Sequence, residues 1–480
     1  MSENNNETAT IKVQKPRLKF IDMARSIAIL LMLEGHFIGC TLDNQEVYHN
    51  TQNLAYTMWN FVRGFTAPMF FTVTGVVFVY LLSMSKDVSF SKNNRVKAGF
   101  KRSFELLFWG YMLQLNLMHF GSYFSGDISS WVVAFHVLQC IGLGISLLLL
   151  IYGLFKFINK GSLATYYFIA GTLLFSFYPF FRHREDIKVL IEKVDVFEKK
   201  DSFTLTRTEY DDIKYLLYQL SDDELETFKL NRVKTFFYKT KHSNLHQVSI
   251  LHSLNRNSLK VNVETETGNN TFYPVKAPEF IQNLFQGPYS VFPIVPWVAF
   301  TLYGGMVGSL LNKYQIHIKR TWFPLTFISL GLALNLFGWT LFSAIDSFSK
   351  LIHFHDDLNF VNNAWLYGRI GQVLIVLGIL MFIEKYFHIK DSLFLKVGQN
   401  TLSIYILHVM VLYGGLIGFG LKDFFAEKLT PLEAIFGAIL FISTFVTYIK
   451  YIDKIENGMS RIKFKTIQLS SSVFRKKSND

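Results

Sequence analysis

The chain has 480 residues, of which 50% are hydrophobic and only 18% are charged, whereas soluble domains carry about a quarter charged residues. The net charge of +12 would suit a nucleic-acid-binding protein, but the basic residues lie beside apolar segments. That arrangement favours membrane lipid over nucleic acid as the partner. The sequence has no Walker loop, dinucleotide glycine motif or His-Glu-x-x-His zinc pattern, so we predict neither ATP coupling nor a metal cofactor.

Ten apolar segments approach the length of about 20 residues that crosses a bilayer as a helix. They lie at 20–42, 60–83, 103–120, 131–154, 162–181, 290–311, 321–345, 364–384, 397–419 and 432–450. Because backbone groups cannot stay unpaired in lipid, each segment is predicted to be helical. The predicted fold is therefore an all-α polytopic membrane protein with about ten transmembrane helices.

The loops between these segments alternate in charge. Loops on one side, with both chain ends, hold 26 Lys and Arg residues, and the short loops on the other side hold 3. Basic loops stay in the cytoplasm, so we predict a multi-pass protein of the bacterial inner membrane with both termini cytoplasmic.

The same reasoning divides the chain into five parts. They are a cytoplasmic tail (1–19), a first membrane part (20–182), an extracytoplasmic insertion (183–279), a second membrane part (280–452) and a basic cytoplasmic tail (453–480). In the insertion, DDIKYLLYQLSDDELETFKL has a helical pattern and SLKVNVETET alternates like a strand, which predicts a small α+β unit. The following PEFIQNLFQGPYSVFP is amphipathic and is predicted to lie along the outer interface.

The first span carries the ionisable residues Asp22, Arg25, Glu34 and His36. At about 100° per residue, Asp22, Arg25 and His36 form one stripe, and Glu34 points to the other side. A helix with two polar faces is predicted to be central in the bundle. The structural alternative is an Asp22–Arg25 pair and a satisfied core histidine; the alignment of the stripe favours a functional site.

Other polar residues are predicted to approach the depth of His36 in the outer half of the membrane. They are His136, Arg369 and His408, with Arg63 at the outer start of the second span. Each is weak alone, but together they indicate a polar chamber that opens outward.

Four segments resemble a known family in the same order. FIDMARSIAILLMLEGHFIG resembles the first span of transmembrane acyltransferases, in which Arg, ten residues and His recur, as at Arg25 and His36. TAPMFFTVTGVVFVYLL resembles their next span. VFPIVPWVAFTLYGGMVGSLL, which contains Trp297, and VGQNTLSIYILHV, with Tyr405 and His408, resemble later segments of bacterial relatives of heparan-alpha-glucosaminide N-acetyltransferase. The insertion departs from the family.

The resemblance implies transfer of an acetyl group from cytoplasmic acetyl-CoA to an acceptor on the outer side. His36 would be the general base or a transient acyl carrier, and Arg25, held by Asp22, would orient the donor. Basic residues at the inner mouth would hold the phosphates of the donor, unless they only set topology: Arg17, Lys19, Lys97, Lys101 and Arg102.

Two functions from different classes follow. The first is an acetyltransferase acting on a hydroxyl or amine of an extracytoplasmic glycan or glycolipid. The alternative is a transporter or flippase for a sugar- or lipid-linked substrate, which would also need a polar chamber. A homo-oligomer is compatible with either, and the sequence decides neither the acceptor nor the acyl chain length.

Overall fold

The structure, a computed structural model, is dominated by helices. It describes residues 18–51, 53–85, 88–119, 130–181, 202–206, 234–239, 245–252, 258–263, 274, 277–285, 290–351 and 360–476. The α-helices of this part of the chain are α1 (Lys19–Thr41), α2 (Gln45–Asn50), α3 (Leu54–Ser83), α4 (Asn94–Met112), α5 (Val137–Ile158), α6 (Leu163–Ser176), α7 (Glu279–Phe285), α8 (Ile294–Lys313), α9 (Trp322–Leu351), α10 (Ala364–Tyr386), α11 (Leu393–Gln399), α12 (Thr401–Tyr413), α13 (Leu421–Phe425) and α14 (Pro431–Lys476).

Helices occupy all ten predicted span positions, but only seven described segments are long and apolar enough to cross a membrane. These are Lys19–Thr41, Leu54–Ser83, Trp131–Ile158, Ile294–Lys313, Trp322–Leu351, Ala364–Tyr386 and Pro431–Ile455. Of the other three positions, α6 and α12 have 14 and 13 residues, and α4 carries several charges. The protein is thus a helical membrane protein, and the count of ten spans stays a prediction.

The packed core lies around α1, α3 and α8. Helix α1 packs against α3, α10, α11, α12 and α14, in agreement with the predicted central position. Helices α3 and α8 approach closely because a Cβ at Gly75, Gly304 or Gly308 would collide with the backbone of the facing helix. Small residues at helix contacts allow this backbone approach in membrane proteins. Helix α9, in contrast, is mostly exposed and packs chiefly on α10.

Contacts between the helix ends define two ends of the bundle. At the first, called the basic end, Lys19 pairs with Asp391 at 3.3 Å and Lys396 pairs with Asp453 at 2.6 Å. At the opposite end, the backbone after α1 bonds to Leu429, just before α14. The N-terminus of α1 therefore lies at the same end as the start of α11 and the part of α14 around Asp453. The alternating loops predict the same arrangement.

The insertion contains a four-stranded antiparallel sheet in the order β1-β4-β3-β2. The strands are β1 (Ser202–Thr206), β2 (Lys234–Lys239), β3 (Leu245–His252) and β4 (Ser258–Val263). Strand β4 coincides with the alternating pattern of SLKVNVETET. The predicted helix at 211–230 lies outside the described residues, so an α+β insertion remains a prediction. The amphipathic segment after it contains the short helix α7; its position at the outer interface remains a prediction.

Candidate active site

The start of α1 is fixed at the basic end by the carboxylate of Glu384, at the end of α10. This carboxylate accepts the backbone N–H groups of Lys19 at 3.1 Å and Phe20 at 2.7 Å. The first N–H groups of a helix lack partners within it and attract negative charge. The Lys19 ammonium also bonds the carbonyl of Ile389 at 2.6 Å. These contacts set the depth at which the later side chains of α1 lie.

Arg25 connects α1 to α12. Its Nη2 donates to Thr401 Oγ1 at 3.1 Å, and its Nη1 lies 4.0 Å from Asp22 Oδ1. Asp22 and Arg25 are therefore adjacent, at the outer limit of an ion pair, and the closer hydrogen bond is to the threonine. The next residue is Ser26, whose hydroxyl lies 2.5 Å from the carbonyl oxygen of Phe394 and holds α11 against α1.

His36 and His408 form a direct pair between α1 and α12. His36 Nδ1 lies 3.1 Å from His408 Nε2, so one nitrogen carries the proton and the other accepts it. His408 is fully buried, and His36 is partly exposed. The ring of Tyr405 meets that of His408 edge-on at 4.9 Å, and the ring of Tyr413 meets that of His36 at 5.8 Å.

Arg25 and His36 lie about 16 Å apart along α1, and Thr401 and His408 lie about 10 Å apart along α12. The two helices run in the same direction because the first member of each pair is at the basic end. The long arginine side chain accounts for much of the difference in spacing. The predicted stripe of α1 therefore faces α12 at both positions.

Arg63 reaches α1 where two glycines leave room. A Cβ at Gly39 would lie 2.8 Å from the guanidinium carbon, and one at Gly35 would lie 3.4 Å from Cγ. The guanidinium also lies 5.3 Å from the centre of the Trp59 ring, whose Nε1 donates to Glu34 Oε1 at 2.5 Å. Glu34 is thus directed to α3, away from the stripe, as predicted, and Arg63 adds positive charge close to His36.

Arg369, on α10, contacts the part of α3 that lies away from the basic end. Its Nη1 donates to Gln372 Oε1 at 3.0 Å and to the carbonyl of Phe61 at 3.4 Å, and the guanidinium lies 5.6 Å from the Phe61 ring centre. A Cβ at Gly64 would lie 2.6 Å from its Nη2. Phe61 and Gly64, which Arg369 contacts, lie on either side of Arg63 in the sequence. The Arg369 guanidinium therefore approaches the same part of α3 that carries Arg63.

His136 and Trp297 do not join the histidine pair by any hydrogen bond or ring contact that the described residues show. The ring of His136 packs on Trp131 at 4.8 Å, and its Nε2 is buried without a hydrogen-bond partner in the described part of the chain. Trp297 packs among Phe71, Phe292 and Phe300. The polar chamber around His36 stays a prediction, and His136 and Trp297 belong to other contacts.

A cavity of about 240 Å³ runs between α1, α3, α4, α5 and α12. Arg95 and Arg102 of α4 line it, and Arg25, Thr401 and Tyr405 line it next to the α1–α12 contact. The remaining wall is mostly apolar, with lining residues Ala28, Phe70, Val73, Thr74, Val77, Phe78, Leu81, Ala98, Gly99, Leu106, Leu138, Ile141, Ile145 and Leu402. Tyr405 contacts both the cavity and His408, so one ring separates the cavity from the histidine pair.

The structure separates the predicted basic residues. Only Arg102 lines the cavity, where it also pairs with Glu105 at 2.9 Å. Lys97 and Lys101 are exposed and do not line it, because residues 95, 98, 99, 102 and 106 form the cavity face of α4 at helical spacing. Lys19 forms an ion pair with Asp391, and Arg17 lies outside the described residues.

Residues 17–194 match the family model described as "Heparan-alpha-glucosaminide N-acetyltransferase, catalytic". This part of the chain is similar to that family. Among curated proteins, none matches the chain. The matched part includes Arg25, His36 and Arg63, and the cavity face of α4. The matched part is thus similar to an acetyltransferase catalytic domain, and it includes helices that are long and apolar enough to cross a membrane.

The second half of the site lies outside the matched region. Thr401, Tyr405 and His408 all come from α12, and they meet α1 and the cavity only in the folded chain. The sequence singled out Tyr405 and His408 but not Thr401, Tyr413, Trp59 or Arg95. Arg95 could have been found, because it lies seven residues before Arg102 and hence on the same helical face.

Proposed function

We propose that the protein moves an acetyl group from acetyl-CoA at the basic end to a hydroxyl or amine at the opposite end. The cavity is the observation that carries this proposal. It joins two arginines of α4 to Arg25 and Tyr405, next to the histidine pair. A transferase acting across a membrane needs a donor site close to its reacting group, and here the Tyr405 ring lies between the cavity and the histidine pair.

The lining of the cavity suits the donor. Coenzyme A has phosphate groups at one end and a long arm that ends in the thioester. Arg95 and Arg102 offer guanidinium groups, which bind phosphate through paired N–H donors. The apolar wall then suits the arm, and Arg25, which lines the cavity next to Thr401, is placed to orient the amide or thioester end.

His36 is the proposed reacting group. Its Nδ1 is engaged by His408, which leaves Nε2 for chemistry. As general base, Nε2 takes the proton of the acceptor while the acceptor oxygen or nitrogen attacks the thioester carbon. The carbon–sulfur bond breaks, and the sulfur of coenzyme A leaves and regains a proton. As acyl carrier, Nε2 would instead attack first and pass the acetyl group to the acceptor in a second step.

The acceptor belongs to the opposite end of the bundle. His36 lies five residues before the end of α1 there, and Arg63, Arg369 and Trp59 lie around the same end of α3. Aromatic and guanidinium groups suit a glycan or glycolipid by stacking and hydrogen bonding. With the basic end in the cytoplasm of a bacterial inner membrane, the acceptor is extracytoplasmic.

The deciding experiment is incubation of the purified full-length protein with carbon-14 acetyl-CoA and extracted cell-envelope glycans and glycolipids. We expect label on an acceptor and release of one thiol for each acetyl group transferred, both measured on the same reaction. Label on the protein before acceptor is added would identify the acyl-carrier route. Binding and movement of a glycolipid with no consumption of acetyl-CoA would overturn the proposal and favour a transporter.

A further inference from the structure

The His36–His408 pair raises the question of which nitrogen carries the shared proton. A neutral histidine carries one ring proton, so the tautomer of each ring constrains the other. If His36 Nδ1 donates, its Nε2 has a lone pair and can act as a base or nucleophile. If His408 Nε2 donates, His36 Nε2 carries a proton and can do neither. The environment of the far nitrogen of His408 decides between these states.

That far nitrogen, His408 Nδ1, is buried in α12. It has no hydrogen-bond partner among the described residues, and the carbonyls of Ile404 and Tyr405, in the preceding turn of α12, point toward it along the helix. A proton on Nδ1 is attracted by two carbonyl oxygens, whereas a lone pair there is repelled by them. Because His408 is fully buried, no solvent screens this difference. The protonated form at Nδ1 is therefore favoured.

We propose that His408 is a positioning residue that accepts a hydrogen bond from His36 Nδ1–H and thereby keeps a lone pair on His36 Nε2. This inference rests on the proposed function, because it assigns a role to His408 in the reaction of His36. When His36 Nε2 takes a proton, the same bond becomes charge-assisted and stabilises the imidazolium. His408 does not take up the proton, because its Nδ1 proton stays directed at the carbonyls of its own helix.

The side chains around the pair are consistent with this assignment. The ring edge of Tyr405 meets His408, and that of Tyr413 meets His36. Arg63, which lies against α1 beside His36, can only donate hydrogen bonds. The described residues show no carboxylate hydrogen-bonded to either histidine. In many enzymes a carboxylate orients the reacting histidine, and here His408 orients His36 instead.

A matched pair of variants tests the positioning role. His408→Gln places an amide oxygen near the position of Nε2, and His408→Met has similar length and volume but no strong acceptor. We expect His408→Gln to keep acetyl transfer within about tenfold of the wild-type rate, and His408→Met to lose about a hundredfold in kcat. The KM for acetyl-CoA should stay unchanged in both, because His408 does not line the cavity.

Nitrogen-15 NMR of histidine-labelled full-length protein supplies a readout that does not need activity. The His36 signals are assigned by their loss in His36→Asn. We expect wild-type and His408→Gln protein to show a proton on His36 Nδ1 and none on Nε2, and His408→Met to show a mixture. A proton on Nε2 in the wild type would overturn the inference, as would unchanged tautomer and turnover in His408→Met. If the wild type transfers no acetyl group, the proposed function fails, and the spectrum still decides the tautomer.

Discussion

The two polar positions of α1 differ in what surrounds them. Arg25 lies on the cavity wall, bonded to a hydroxyl and near a carboxylate of its own helix. His36 lies three turns further along, outside the cavity lining and bonded to a buried histidine. The charged groups that line the cavity are arginines, which only donate hydrogen bonds, whereas a group that can gain and lose a proton lies beyond it.

Under the proposed function, α1 separates donor binding, at Arg25, from chemistry, at His36. The separation of about 16 Å is long for a single side chain and suits a substrate with an extended arm. Variants at the two positions should therefore fail in different ways. Substitution of His36 should lower turnover and leave the affinity for the donor unchanged. Substitutions of residues that line the cavity should mainly lower the affinity for the donor.

The largest effect is expected for His36→Asn. The amide of Asn takes the position of Nδ1 and keeps the contact to His408, but it has no basic nitrogen. Acetyl transfer should fall by on the order of 10³-fold, with unchanged affinity for acetyl-CoA by calorimetry and little change in melting temperature. His36→Ala should lose transfer equally but also some stability, since it leaves buried His408 Nε2 without its partner.

A purely structural His36 would give the reverse result for the same variants. His36→Ala would lower the melting temperature and leave turnover per folded molecule unchanged. An active His36→Asn protein would contradict the proposed role of His36. The two positions of α1 would then no longer differ in binding and chemistry.

The sequence predicted the position of α1 in the bundle and the face of α1 that carries Arg25 and His36. Four ionisable residues in one apolar span required a central helix, and helical geometry placed Arg25 and His36 on one face. The family-like segment around Tyr405 and His408 supplied the second helix of the site. These predictions succeeded because they depend on local spacing, which a single helix preserves.

The pairing between helices could not be predicted from spacing. Nothing local says that α12 meets α1 in a parallel arrangement, with Thr401 on Arg25 and His408 on His36. The same holds for the five basic residues predicted to bind the donor, Arg17, Lys19, Lys97, Lys101 and Arg102. Spacing does not say which face of α4 packs over the cavity, and of its three only Arg102 lines the cavity. Which face packs inward is a tertiary property.

A smaller effect is expected for Arg25→Lys. Lysine keeps the charge but not the planar fork that can hold Thr401 and a substrate group together. We expect about a tenfold loss in kcat, which corresponds to about 1.4 kcal/mol, with a melting temperature close to that of the wild type. Thr401→Val is the matched control, since it removes the hydroxyl partner and leaves Arg25 in place.

The two variants together locate the effect. Loss in Arg25→Lys with full activity in Thr401→Val would show that Arg25 acts on the substrate directly. Equal loss in both would show that the threonine positions the guanidinium. Full turnover in Arg25→Lys would remove the role of the planar fork.

The smallest effect is expected at the mouth of the cavity, and it separates a binding surface from a topological charge. Arg95 lines the cavity, whereas Lys97, two residues on, is exposed on another face of α4. Arg95→Gln should weaken acetyl-CoA binding about fivefold, since an exposed charge contact contributes about 1 kcal/mol, and the loss should shrink at high salt. Lys97→Gln and the arginine-matched control Arg320→Gln, which does not line the cavity, should bind the donor normally.

Calorimetry with acetyl-CoA and with dephospho-coenzyme A adds a second comparison, because Arg95→Gln should bring the two affinities closer if its guanidinium meets the 3′-phosphate. Equal weakening in all three variants would mean that general positive charge at this end, rather than the cavity face of α4, attracts the donor.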